Sequence, residues 1–421
     1  MKKIFLISVI SIQLAFGQNP QYLTLSDCYN KAIENYPLLK AKKLLANTSE
    51  LEIKIINSAF LPNLNFSVQA SYQSDVTALD MEVPIPNFTI GELSKDQYKT
   101  YVEINQLIYD GGMVKSFRNV ESANLAIETQ NIEIEFFKLK ERINQIFFVI
   151  LLMQENEKVL EIMRDELEKN LFIVESGYKN GVLLESDLAL MQAELLKLEQ
   201  QLLEIQTRKS NAIDILGKYL DKDFNDSLKL ELPQPQLENL QDKSRPEQVL
   251  LDLQTLKIQA TSKFVEAKYK PILVGFGQIG YGRPGLNMLS NKFDSYYIFG
   301  AKLSWNFSDW KLSNREQQIL QIGEDLIVTQ RETFDKNLEI ALQNEYSDIQ
   351  RLIKIIEKDR EIIELRIKIT KLSSSQLEHG IIKSTDYLNV LNAETQAKIK
   401  LETHKIQLIQ AKVNYLTLIG D

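Results

Sequence analysis

The sequence predicts a mainly α-helical chain with a smaller membrane β part, in which one order of elements occurs twice. Three observations carry this reading. They are heptad-spaced apolar residues, four short stretches of alternating apolar and polar residues, and colinear landmarks shared by the two halves. With 16 Gly and 10 Pro in 421 residues the chain has few breakers, which favours long uninterrupted elements.

The repeat is read from spacing. Pro37 and Pro62 are 25 residues apart, as are Pro246 and Pro271. Tyr72 follows Pro37 by 35 residues, and Tyr281 follows Pro246 by 35. Asn180-Gly181 precedes Asp187 as His379-Gly380 precedes Asp386, and Gln192-Ala193-Glu194 corresponds to Asn392-Ala393-Glu394. The stretches NAIDILG (211–217) and NYLTLIG (414–420) also match. The expected division is a targeting peptide over 1–17, a first repeat over 18–219, an insert over 220–245 and a second repeat over 246–421. Each repeat reads as helix, two strands, long helix, tip, helix.

In the first repeat, residues 63–74 alternate: Leu64, Phe66, Val68, Ala70 and Tyr72 on one side, Asn63, Asn65, Ser67, Gln69 and Ser71 on the other. Period two is the signature of a strand. Residues 98–109, with Val102, Ile104 and Ile108, are its expected partner across a long loop holding Pro84, Pro86 and Gly91. In the second repeat, 272–282 is a Gly-rich strand. In 296–307, Tyr297, Phe299, Ala301, Leu303 and Trp305 alternate with Ile298, Gly300, Lys302 and Ser304. Strands with one apolar and one polar face suit a membrane barrel, but the smallest such barrels have ~8 strands. Open edges in hydrocarbon cost several kcal/mol per unpaired group, so the strands must be pooled across chains. Tyr72, Tyr98, Tyr281 and Trp305 stand near strand ends, where interfacial aromatics are expected. Leu303 is expected to face lipid and Ser304 the lumen.

The helices show the other period. Met191, Leu195, Leu198, Leu202, Ile205, Lys209, Ala212 and Leu216 keep a heptad register. Leu342, Tyr346, Ile349, Ile353, Ile356, Arg360, Ile363 and Ile367 do the same, as do Ile399, Ile406, Ile409, Val413 and Leu416. These are coiled-coil seams with polar interruptions. Residues 113–176 contain neither Pro nor Gly, and a helix of that length is on the order of 100 Å long.

Lys2 and Lys3, the mostly apolar run 4–16 and Ala15-Phe16-Gly17 have the layout of a secretory signal peptide cleaved before Gln18. No later segment approaches ~20 consecutive apolar residues. The formal charge is −8, from 49 basic and 57 acidic residues without a basic stripe, which argues against a nucleic-acid partner. The single cysteine, Cys28, excludes an internal disulfide and reads as a buried thiol. No catalytic constellation is found. His379 and His404 are too few for a metal site, and 281–285 (YGRPG) lacks the strand and helix of a phosphate loop. No cofactor is expected.

Residues 23–43 (LTLSDCYNKAIENYPLLKAKK) and 59–72 (AFLPNLNFSVQASY) resemble the opening segment of TolC-like outer membrane efflux proteins. LIYDGG (107–112) resembles their strand-to-helix junction, and YKNGVLLESDLALMQAE (178–194) and LEHGIIKSTDYLNVLNAE (377–394) resemble their two hairpin turns. The resemblance spans nearly the whole mature chain. It implies a homotrimer with a 12-stranded barrel in the outer membrane and a helical tunnel reaching into the periplasm. It further implies an exit channel, itself passive, that works with a periplasmic adaptor (a membrane fusion protein) and an inner-membrane pump of the RND, ABC or MFS type. A trimeric coiled-coil stalk or adhesin is the alternative; it would account for the heptads but not for the duplication or the strands.

Two sites follow. Apolar residues beside the tip glycines, at Gly181, Val182, Leu183, Gly380, Ile381 and Ile382, either cap the coiled coil from inside or form an adaptor-docking surface, as exposed apolar groups often do. Asp386 with Asn389, and Asp187 in the other tip, occupy the first turns of helices. There they either complement the helix dipole or, as the resemblance implies, line a periplasmic gate. The family's D-x-x-D pattern is here Asp386-Tyr387-Leu388-Asn389, so one carboxylate ring would be an amide ring.

Overall fold

The computed structural model describes residues 22–77, 93–226, 228–237, 245–306 and 310–420. The expected signal peptide lies outside them, as do Pro84, Pro86 and Gly91 of the long loop and part of the insert. Contacts divide the chain into two compact units. One comprises Met1–Leu39, Glu133–Arg245 and Asp335–Asp421, the other Lys40–Ile132 and Pro246–Phe334.

The second unit holds α2 (Leu38–Ser58) from Lys40 onward, β2 (Asn63–Tyr72), β3 (Asp96–Tyr109), the start of α3 (Met113–Lys179), α5 (Pro246–Lys268), β5 (Ile272–Arg283), β6 (Asp294–Ser304) and the start of α6 (Trp310–Glu378). Its strands form one antiparallel sheet in the order β2-β3-β5-β6. β3 therefore pairs with β5, which joins the two halves of the sequence. The register between them shifts at Leu107/Tyr109, where Ile108 is an extra residue. That bulge is why the alternation in β3 is irregular. Asp110, buried at the end of β3, accepts hydrogen bonds from the backbone N–H groups of Gly112 and Val114 at 2.8 and 2.5 Å. It therefore satisfies open donors at the start of α3, which explains the LIYDGG motif. Helix packing here uses Phe117 against Phe264, Ser262 with Gln317, and Lys268 with Glu316.

The first unit holds β1 (Tyr22–Leu23), α1 (Leu25–Asn35), most of α3, α4 (Glu185–Leu220), β4 (Lys229–Leu230), the rest of α6 and α7 (Ser384–Leu418). β1 and β4 make a short parallel pair. They cover a core of Leu23, Cys28, Leu139, Ile143, Phe147, Ile150, Ile213, Leu216 and Ile406. Thr24 Oγ1 caps α1 by accepting from the Asp27 N–H, and the Thr24 N–H donates back to the Asp27 carboxylate, a capping box. A second core, nearer the tips, gathers Leu160, Met163, Leu167, Met191, Leu198, Leu377, Tyr387 and Leu391.

The α4 seam packs in the expected register: Met191, Leu198, Leu202, Ala212 and Leu216 are buried. Lys209 interrupts it, but pairs there with Glu157 of α3 while both side chains are nearly covered. The α6 seam differs. Ile349 and Ile356 are buried as expected, whereas Tyr346, Ile353 and Ile367 remain exposed. The buried stripe instead continues through Leu352, Asp359, Thr370, Ser373 and Leu377. It carries polar residues because they find partners: Asp359 Oδ2 lies 2.6 Å from His404 Nδ1 on α7, and Thr370 Oγ1 donates to the Arg366 carbonyl. A hydropathy pattern cannot select such positions.

Candidate functional site

Among the described residues no layer packs on the apolar side of the sheet. Leu64, Phe66 and Val68 of β2 stand opposite Ile104, Val102 and Thr100 of β3. Ile104 and Val102 stand opposite Gly277 and Ile279 of β5, and these face Phe299 and Tyr297 of β6. One face is thus apolar across four strands, and Phe299 (79%), Val68 (72%) and Ile279 (71%) are among its exposed side chains. The other face carries Asn63, Asn65, Ser67, Glu103, Gln278 and Lys302. An apolar face of this extent is stable only against an apolar medium. The outer edges of β2 and β6 are unpaired among the described residues.

The four singled-out aromatics divide between the ends of the sheet. Tyr72, Tyr98 and Tyr281 lie at the end where β2 meets Asp96 and β5 reaches Arg283. Tyr281 and Phe293 stack there, with Tyr98 beside Phe293. Arg283 lies over Tyr98 and Phe293 and pairs with Asp96. Trp305 stands at the opposite end and donates from its indole N–H to the Tyr269 carbonyl at 3.2 Å. Ser295 faces Tyr281. From Ser295 to Trp305 along a strand tilted ~40°, at ~3.4 Å per residue, is ~26 Å along the normal, close to the ~25 Å apolar band of such barrels.

The two tips share one geometry. Gly181 (φ 73°) and Gly380 (φ 68°) are left-handed, a conformation glycine adopts without strain. Val182 N–H donates to the Gly177 carbonyl at 2.9 Å and Ile381 N–H to the Gln376 carbonyl at 2.8 Å, the Schellman closure of a helix end. The apolar residues after the glycines then separate. Leu183 and Ile382 turn inward against the second core, while Val182, Leu184 and Ile381 point out, at 71%, 68% and 70% exposure. A cavity of about 400 Å³ opens between the tips, lined in part by Phe172, Asn180, Val182, Leu183 and His379.

The paired aspartates also differ from one another. Asp187 is buried and its carboxylate accepts from the Leu184 N–H at 3.3 Å, so it closes the start of α4. Asp386 and Asn389 are exposed on one face of α7, while Tyr387 and Leu388 between them are buried. Tyr387 Oη accepts from Asn170 Nδ2 of α3 at 2.8 Å, which holds α7 so that Asp386 points away from the core. Among the described residues no group of three His, Cys, Asp or Glu is placed to hold a metal ion, and no helix is long and apolar enough to cross a membrane.

Residues 28–220 match the family model described as outer membrane efflux protein. That segment runs from α1 through the first strand pair to the end of α4. The fold is TolC-like over nearly the whole chain. VceC of Vibrio cholerae is 13% identical over 93% of this chain and 96% of its own, with a TM-score of 0.66. CmeC of Campylobacter jejuni is 14% identical over 94% and 85%, at 0.65. The open state of MtrE of Neisseria gonorrhoeae is 13% identical over 94% and 88%, at 0.68. A comparison with curated proteins finds no match. At such identities the likeness speaks for the fold alone. In this TolC-like chain the sequence did not single out Asn170, Glu157 or Asp359; the one signal for Asn170 and Asp359 is a polar residue in step with buried apolar neighbours such as Leu167 and Ile356.

Proposed function

We propose that this chain is the subunit of an outer-membrane exit channel that closes as a homotrimer, embeds its sheet in lipid and extends into the periplasm. The observation that carries the reading is the four-stranded sheet, which among the described residues has one uncovered apolar face and two unpaired edges. Unpaired edge groups cost several kcal/mol each in hydrocarbon, so the edges must meet other strands. β2 and β6 run in opposite directions, so β6 of one copy can pair antiparallel with β2 of the next. Three copies supply 12 strands, within the range of bacterial barrels. The family match supports efflux, and CmeC and MtrE are themselves named as outer membrane channels.

On this reading the outward Val182, Leu184 and Ile381, beside the cavity between the tips, are the docking surface for a periplasmic adaptor. An inner-membrane pump supplies the energy, and Asp386 with Asn389 lines the periplasmic constriction. A coiled-coil stalk is disfavoured because it has no use for an apolar sheet face. Mass measurement of the detergent-solubilised protein, followed by planar-bilayer recording, tests the proposal. A trimer that conducts is expected. A folded, membrane-inserted monomer refutes the assembly, and an inserted trimer that never conducts refutes the conduit.

A further inference from the structure

We propose that the polar face of the sheet carries a binding subsite for planar organic cations, built from Glu103, Tyr101, Phe276 and Tyr296. The inference rests on the channel reading, in which this face is the lumen wall. Three adjacent rows on that face make the subsite. In the first, Tyr101 faces Gly280, which faces Tyr296. In the next, Glu103 faces Gln278, which faces Ile298. In the third, Asn105 faces Phe276, which faces Gly300. Across β2 the same rows end in Ser67, Asn65 and Asn63.

Two features set this patch apart from an ordinary polar wall. The first is how the rings lie. A Cβ built on Gly280 would come within 2.6 Å of Tyr296 Cζ and 2.7 Å of its Oη, and one on Gly300 within 2.9 Å of Phe276 Cζ. Each ring therefore crosses the neighbouring strand where any other residue would carry its side chain. It covers the backbone with one face and turns the other outward. The glycines keep the rings down, so aromatic surface is offered without filling the bore. The second is charge. Glu103 is half-buried, has no ion-pair partner among the described residues and carries the only formal charge in the three rows. Lys99 and Lys302 stand in the rows that bound the patch on either side. A carboxylate among ring faces, whose quadrupoles are negative, attracts a cation, and the rings favour one that is itself flat.

A ring lying on a glycine also strengthens a sheet, and this contribution is the same whatever occupies the lumen. Ligand selectivity separates the two roles. The full-length protein in lipid nanodiscs is titrated with N-methylacridinium, read by fluorescence anisotropy and competed with tetrabutylammonium, an aliphatic cation. Saturable binding is expected, with the aliphatic cation at least roughly tenfold weaker as a competitor. Glu103→Gln and Tyr296→Leu should each weaken binding by about threefold to tenfold, the scale of one cation–π or charge contact. Phe299→Leu, on the apolar face, should leave it unchanged. Glu103→Gln keeps side-chain shape, so it serves should Tyr296→Leu fail to insert. Equal loss in Phe299→Leu, or unchanged affinity in Glu103→Gln, overturns the subsite. Particle mass is measured on the same samples. An inserted trimer that does not bind the probe overturns the subsite and leaves the channel standing; an inserted monomer overturns both.

Discussion

Substituting arginine along β6 reads depth and face together. Phe299 lies on the apolar face, opposite Gly277 and in one row with Ile104 and Leu64. It is four residues from Ser295 and six from Trp305, or ~10 Å and ~16 Å along the normal from the two aromatic ends at ~3.4 Å per residue and ~40° tilt. That is close to the midplane, where an arginine on the lipid face costs ~2–4 kcal/mol, or ~6–12 kcal/mol for three copies. Leu303, which alternation alone marks as lipid-facing, is two residues from Trp305 and so ~5 Å from that end. Its arginine variant should cost only ~0–1 kcal/mol, because the penalty falls towards the interface. Ile298 is at the depth of Phe299 but opposite Gln278 on the polar face, so Ile298→Arg should insert nearly as well as the parent. Denaturant titration of folding into lipid vesicles measures all three. The expected order of damage is Phe299→Arg, then Leu303→Arg, then Ile298→Arg. Damage from Ile298→Arg equal to that from Phe299→Arg would show that the face assignment is wrong, and a larger loss at Leu303 than at Phe299 would show that the depth is wrong.

Three further outcomes are expected. Val182→Asp with Ile381→Asp should leave the oligomer intact and abolish export in cells, with loss of crosslinking to a periplasmic adaptor, whereas Leu183→Asp should lower the melting temperature because that side chain is packed. Asp386→Ala should reduce cation selectivity in single-channel records and Asn389→Asp should increase it, since a ring of carboxylates attracts cations; no change in either removes Asp386 from the pore. Burial pushes the Cys28 thiol up to about 12, so it stays protonated, and with no exposed surface it should resist maleimide at pH 8 until the chain is unfolded.

The sequence by itself determined the classes of element and the surfaces they own. Alternation around Phe66 and Phe299 marks two-faced strands because side chains of a strand point to opposite sides in turn, whatever the strand pairs with. The heptads from Met191 to Leu216 mark a helical stripe for the same local reason. What only the tertiary structure decided are the partners. Period two identifies a face but not a neighbour, so the pairing of β3 with β5 and the extra residue at Ile108 could not be read. On α6 several apolar stripes compete, and the one that packs runs through Asp359 and Thr370, because hydrogen bonds to His404 and to the Arg366 carbonyl make those polar positions tolerable inside. At the tips, Val182 and Leu183 are adjacent and equally apolar, yet one is outside and the other inside. That choice is made by the turn at Gly181, whose left-handed backbone sets the direction in which each following side chain leaves the helix end.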